Sequence, residues 1–272
     1  MLETESADLD RRFGALDRLY GSAGARRIRS AHVVVVGLGG VGSWAAEAAA
    51  RSGIGRLTLI DLDHIAESNI NRQVHALSST LGQAKVISMR ERITQIHPDC
   101  RVDCVEEFVA AENWPEILSL DSGFDPDQLA IIDACDQARA KTAMAAWAIQ
   151  NSIALISIGA AGGKRSAHRV DIADLAAVTH DPLLAQVRYR LRKEHGAARQ
   201  GKIGVACVFS LEPVHRPVAE ATLDLRGDLQ EPMQLPAHTD GSLNCHGYGS
   251  VVTVTATFGM CAAGWVLNKI AH

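Results

Sequence analysis

No Cys-x-x-Cys pair occurs among the six cysteines, which stand apart at positions 100, 104, 135, 207, 245 and 261. That absence removes the usual thiolate zinc site, whose ligands come in closely spaced pairs. Scattered single cysteines suit reduced thiols in a cytoplasmic protein. An excess of basic charge is also missing: 27 Lys and Arg stand against 31 Asp and Glu, for a net charge of -4. Indiscriminate nucleic-acid binding is therefore excluded, and RNA would have to be held by a local basic patch. The opening residues MLETESADLD lack the charged start and apolar run of a secretory signal, so none is expected. There is no internal repeat and no low-complexity tract. One charge-free stretch, Ser250 to Leu267, has about the minimum length of a membrane span. Its threonines and small residues favour a buried core helix, and membrane contact is the minority reading.

The 272 residues suffice for one large domain at roughly 150 residues per domain. Short apolar runs at 33–36, 57–61, 129–133 and 153–158 alternate with helical spacing over 43–53, 80–97 and 137–151. This alternation predicts an α/β fold: a Rossmann-like, doubly wound, mostly parallel sheet with helices on both faces. The second half is less regular. It offers strands at 170–175 and 203–211, and between them a helix with Asp181 as N-cap and Pro182 at its first position. Pro213, Pro217, Pro232 and Pro236 mark a long mobile loop, taken as 212–249. The organisation expected is one domain over 1–272, with a regular α/β core at 10–160 and a less regular extension at 161–272 that ends in a helix.

The stretch VVVVGLGGVG runs a strand into Gly37, Gly39, Gly40 and Gly42 and then opens a helix. Glycines there allow a tight turn and let backbone N–H groups approach a phosphate. Asp61 ends the next strand, about 20 residues on, where a carboxylate can accept from ribose hydroxyls. These features point to a nucleotide and leave NAD and ATP both open. Asn69, Arg72 and Lys85 follow, beside the same strand ends, and Asp136 lies just past the strand 129–133. Taken singly, Arg72 or Lys85 reads as a solvated charge and Asp136 as a helix cap. Together, two cations and an amide suit a triphosphate whose leaving pyrophosphate must be neutralised, and Asp136 suits magnesium.

GLGGVG, LTLIDLD, SNINRQ, GQAKV and the D-x-x-D of IDACD together resemble the ubiquitin-activating-like adenylating enzymes. The resemblance implies that Gly39 and Gly40 contact ATP, that Asp61 holds its ribose, that Asn69, Arg72 and Lys85 hold its phosphates, and that Asp136 holds magnesium. Arg18, in RRFGALDRLYG, stands near the family's arginine that reaches ATP across a dimer interface, although the local spacing departs from the R-Y-x-R-Q form. A homodimer is implied with it. Further along, ISIGAAGGK, HDPLLAQVRYRLRK, GKIGVACVFSLE and NCHGYGSVVTVTATFG look like the tRNA threonylcarbamoyladenosine dehydratases. Members use ATP to activate the threonylcarbamoyl carboxylate on a tRNA adenosine, so that it closes to a cyclic form with net loss of water. Cys245, beside His246, is then a candidate thiol for the activated acyl group, although direct cyclisation needs none.

For the tRNA, Arg188, Arg190, Arg192 and Lys193 around Tyr189, with Lys164 and Arg165 nearby, form the candidate RNA-binding set; the same run also suits the solvated side of a helix. A monovalent cation that orders the loops and a sulfur-transfer protein partner are further candidates. The competing functions are an activator of a ubiquitin-like or sulfur-carrier protein, an NAD-dependent oxidoreductase, and a non-catalytic scaffold. A thermal melt separates the nucleotides: ATP is expected to raise the melting temperature by mass action and NAD to leave it unchanged, and the reverse result would restore the oxidoreductase reading.

Overall fold

A computed structural model of the chain describes residues 7–120, 124–215 and 248–272. Its architecture follows from the valine run. In β1 (His32–Val36) successive side chains alternate, so Val33 and Val35 enter one hydrophobic core while Val34 and Val36 enter the other. All four are buried, so both faces of the strand must be covered by other elements. Around β1 lie β2 (Arg56–Ile60), β3 (Arg101–Val105), β4 (Leu129–Asp133), β5 (Ala154–Ile158), β6 (Val170–Asp174) and β7 (Ala206–Ser210). They form one sheet in the order β3-β2-β1-β4-β5-β7-β6, parallel except for β6, which runs antiparallel to β7 at the edge.

Helices cover both faces. α2 (Ala15–Ser30), α3 (Gly42–Arg51), α4 (Lys85–Ile96) and α7 (Val252–Ala271) supply one core, through Ile28, Ala45, Met89 and Phe258 among others. α5 (Ala138–Asn151) and α6 (Pro182–Glu194) supply the other, through Met144, Leu184, Val187 and Leu191. The expected doubly wound α/β fold is the one found. A short helix α1 (Leu9–Phe13) precedes α2, and neither it nor the edge strand β3 was visible in the apolar pattern, because little of either is buried.

Some expected boundaries move. The helix expected from Thr80 begins instead at Lys85. Ser78–Thr80 form a 3-10 turn, and Gly82 takes φ +80, a left-handed conformation that breaks the helix and that glycine adopts most easily. Asp181 does cap α6: its carboxylate accepts from the Leu184 N–H at 2.9 Å and also from the Ala160 N–H at 2.8 Å. The charge-free stretch becomes α7, whose residues Val254, Phe258, Ala262 and Val266 are buried in the core shared with α3. Among the described residues no helix is long and apolar enough to cross a membrane. Cys245 and positions 216–247 of the expected loop lie outside the described residues.

Because Phe258 is fully buried, Phe258→Ala should lower the free energy of unfolding by about 3–5 kcal/mol, the usual loss for emptying an aromatic core site. Urea titration checks it; an unchanged midpoint would remove α7 from the core.

Candidate functional site

β1 pairs with β2 on one side and β4 on the other, and the chain leaves the sheet in opposite directions from these neighbours. A crevice must open at their carboxyl ends, where doubly wound sheets bind ligands. Gly37, Gly39 and Gly40 line this crevice whereas Gly42, expected with them, does not, and each glycine has its own reason. Gly37 sits at φ +84, and a Cβ there would fall 2.9 Å from the Ala134 carbonyl oxygen. At Gly42 a Cβ would collide with the Gly37 carbonyl oxygen. Gly39 faces open space, with nothing within 4 Å of its missing Cβ, and its backbone is therefore free to meet a ligand. α3 then begins without a side-chain cap at Val41; the Ser43 N–H donates to the Gly39 carbonyl, and the Gly42 and Trp44 N–H groups are left for an anion.

Asp61 stitches this turn to β2. Its Oδ2 accepts from the Leu38 N–H at 2.6 Å and its Oδ1 from the Asp63 N–H at 2.8 Å. Burial pushes the Asp61 carboxyl above the usual range, an effect that Lys85 and the two amides only partly offset. Lys85 is no solvated charge: it is 5% exposed, with its Nζ 2.7 Å from Asp63 Oδ2 and 3.8 Å from Asp61 Oδ1. Arg72 packs its stem against Gly40 and donates through Nη1 to the Ser68 carbonyl and Asn71 Oδ1. Its backbone carbonyl accepts from Trp44 Nε1, 2.9 Å away, which ties the arginine segment to α3. Asn69 Oδ1 accepts from the Ala66 N–H and so fixes the turn before Arg72.

On the opposite wall stands the residue after Cys135. Asp136 is exposed and lines the crevice, whereas α5 has Gln137 at its N-cap and no side-chain cap bond. Asp136 is therefore not a helix cap. Asp133, beneath it, is fully buried and paired with the equally buried Lys141 at 3.0 Å. Cys135 is half-buried beside the cleft and donates to Asp133 Oδ1 at 3.1 Å, and desolvation with that carboxylate pushes its thiol well up, which keeps it in the unreactive thiol form.

The resulting cleft of about 460 Å³ is lined by Gly37, Gly39, Gly40, Asp61, Asn69, Arg72, Lys85 and Asp136. The glycine cradle and its two cations fit a polyphosphate. Sequence reasoning missed the walls: Glu107 and Phe108 after β3, Gly159 to Gly162 after β5, and Thr255 of α7. Only the glycines of the 159–163 turn gave any signal. Arg18 is exposed on α2, outside this cleft.

The candidate RNA set divides. Lys164 is buried and donates to the carbonyls of His180 and Glu212, and Arg188 donates to those of Leu175 at 2.9 Å and Val178 at 3.0 Å. Both are thus committed to holding loops, a correction to reading them as an exposed basic face. Arg190 pairs with Glu194 at 3.0 Å, and Arg192 donates to the carbonyls of Ala198 and Arg199. Lys193 lies 5.7 Å from the centre of the exposed Tyr189 ring, and Arg165 is exposed. Gly163 joins the two chain segments that border 216–247, donating to the Gly249 carbonyl and accepting from the His215 N–H. Among the described residues no group of three or more His, Cys, Asp or Glu could hold a metal ion alone.

Comparison with known proteins gives consistent matches. The profile of the ThiF family matches residues 11–272. The chain is 41% identical to a tRNA threonylcarbamoyladenosine dehydratase of Escherichia coli over 262 residues, covering 95% of this chain and 93% of that protein. It is 39% identical to one of Haemophilus influenzae, covering 96% and 94%. A crystal structure of the E. coli tRNA N6-threonylcarbamoyladenosine dehydratase in complex with ATP superposes with a TM-score of 0.80 at 39% identity, covering 97% of this chain and 96% of that one.

Behind Lys85, His75 is 2% exposed and neither ring nitrogen has a hydrogen-bond partner. Burial, then Lys85 and Arg92, lower its pKa from 6.5 to about 4. The unfolded chain therefore binds the extra proton between those values, and stability falls as pH drops from 6.5 toward 4. The loss should reach about 3 kcal/mol, at roughly 1.4 kcal/mol per pH unit. Chemical unfolding across that range should show it, and His75→Phe should flatten the profile; an equal slope in the variant would contradict the assignment.

Proposed function

The chain belongs to the ThiF family, and on that premise we propose that its cleft binds ATP with magnesium and activates the threonylcarbamoyl carboxylate of a tRNA adenosine for cyclising dehydration. The observation that carries this reading is the assembly of Gly39, Gly40, Asn69, Arg72, Lys85 and Asp136 around one crevice in a chain similar along nearly its whole length to such dehydratases. Gly39 and the first amides of α3 receive phosphate oxygens. Arg72 and Lys85 neutralise charge on the leaving pyrophosphate, and Asn69 donates beside them. Asp61 still has lone pairs for ribose hydroxyls, and Asp136 holds magnesium. ATP, when bound, supplies a phosphorus that turns an unreactive carboxylate into an anhydride with a good leaving group. The substrate carboxylate attacks the α-phosphorus and displaces pyrophosphate. Attack by the neighbouring nitrogen then closes the ring and expels AMP, which carries away one carboxylate oxygen.

Cys245 is the residue we assign to a covalent variant of the second step, in which its thiolate takes the acyl group before the nitrogen displaces it. Arg18 lies outside the cleft of its own chain, so its contact with nucleotide would come from a second copy, and we infer a homodimer. Arg165 and Lys193 are the side chains offered to the tRNA backbone, joined by Arg190 and Arg192 when they exchange Glu194 and the Ala198 and Arg199 carbonyls for phosphate, and Tyr189 is the one offered for stacking. The cytoplasm, where tRNA and ATP meet, is the compartment this reading requires. A monovalent cation in the loops and a sulfur-transfer partner complete the proposal.

Mass spectrometry of nucleosides from tRNA carrying threonylcarbamoyladenosine checks the function. Incubation with the protein, ATP and magnesium should convert that nucleoside to its cyclic form with loss of one water, and Lys85→Ala should abolish most of the conversion. A nucleoside unchanged by the wild-type protein would overturn the reading.

A further inference from the structure

Lys141 is fully buried, and its ammonium lies behind residues 134–137, which line the cleft. It has three protons and three acceptors: Asp133 Oδ1 at 3.0 Å, the Asp133 backbone carbonyl at 3.1 Å and Ser157 Oγ at 3.4 Å. Asp133 is equally well served, because its Oδ2 accepts from the Ser157 hydroxyl at 2.7 Å and its Oδ1 from the Cys135 thiol as well as from Lys141. All these groups but Cys135 are buried. Taking two charges out of water is a poor way to gain stability, since apolar side chains of similar volume often do as well or better. What a satisfied ion pair supplies that packing does not is fixed geometry.

The points it fixes surround the metal-binding turn. Lys141 stands on α5, one turn past the helix start, and reaches back across residues 134–137 to the end of β4. Ser157 brings in the end of β5. The usual device for setting the entry of a helix is absent, because Gln137 makes no side-chain cap bond and the first turn of α5 has no acidic residue. Cys135 is tied to Asp133 by its thiol and borders the cleft, and the next residue, Asp136, lines it as an exposed carboxylate. We propose that the Asp133–Lys141 pair, with Ser157, is a positioning device that holds the 134–137 turn so that Asp136 meets the magnesium of bound ATP. The proposal rests on the reading of the cleft as a magnesium–ATP site. Asp133, Lys141 and Ser157 act only through that turn.

Calorimetric titration of ATP into the full chain, with and without magnesium and well below each variant's melting temperature, tests it. Lys141→Met should weaken binding in magnesium about tenfold, the lower end of what losing an outer partner does to a metal site. Binding of ATP without magnesium should stay unchanged. The double variant Asp133→Leu/Lys141→Met leaves no unpaired charge and should regain the melting temperature, yet not the magnesium-dependent affinity. Ser157→Ala, which removes only a hydroxyl and should fold in any case, should show a smaller loss confined to magnesium. Wild-type affinity for magnesium–ATP in any one of these folded variants, or a loss of equal size without magnesium, overturns the positioning role. Failure of the wild-type protein to bind ATP would instead overturn the reading on which it rests.

Discussion

The carboxylate of Asp61 accepts from the backbone N–H of Leu38 inside the glycine turn and from that of Asp63 at the start of the next segment. Everything at the cleft depends on that double acceptance. It locks the turn after β1 onto the end of β2, and it places a buried negative charge beside Lys85. The Lys85 N–H donates to the Asp63 carbonyl as its ammonium pairs with the Asp63 side chain, so the start of α4 is drawn to the same point. Fold and site are therefore built from the same bonds. A strand end, a glycine turn and a helix start meet where the sheet divides, and the cleft is the space they enclose.

The electrostatics follow the same economy. Although the chain is acidic overall, with a net charge of -4, the acids nearest the cleft are largely engaged. Asp61 and Asp63 face Lys85 and backbone amides, and Asp133 faces Lys141. Asp136 and Glu107 line the cleft, and neither has an ion-pair partner among the described residues. Arg72 rests on carbonyl and amide oxygens rather than on a carboxylate, which leaves its charge uncompensated. An anion with its own magnesium ion meets both needs of such a surface. Behind it, a neutral His75 keeps a third positive charge away from Lys85 and Arg92 at physiological pH.

Much of this was legible in the residues. The valine run, the glycines after it and the repeated apolar strands carried the sheet and its switch point, because burial on both faces leaves an unambiguous apolar signature. Asn69, Arg72, Lys85 and Asp136 were legible as a set, since each follows a strand end. What could not be read was the pairing. Nothing in the run ARAKTAM marks Lys141 as buried, because a lone lysine on a helix normally reaches water and its partner lies across a turn. Lys164 and Arg188 misled for the converse reason: their carbonyl acceptors come from loops that carry no sequence signal. α7 was ambiguous because a helix buried on one face and a marginal span share a composition, and only its packing against α3 separates them.

Oxygen transfer is the most direct test of the central claim that a carboxylate attacks the α-phosphorus of ATP in this cleft. With tRNA whose threonylcarbamoyl carboxylate is labelled with heavy oxygen, a single turnover should place one labelled oxygen in AMP and none in pyrophosphate. Label in pyrophosphate or inorganic phosphate, or in water alone, would contradict it.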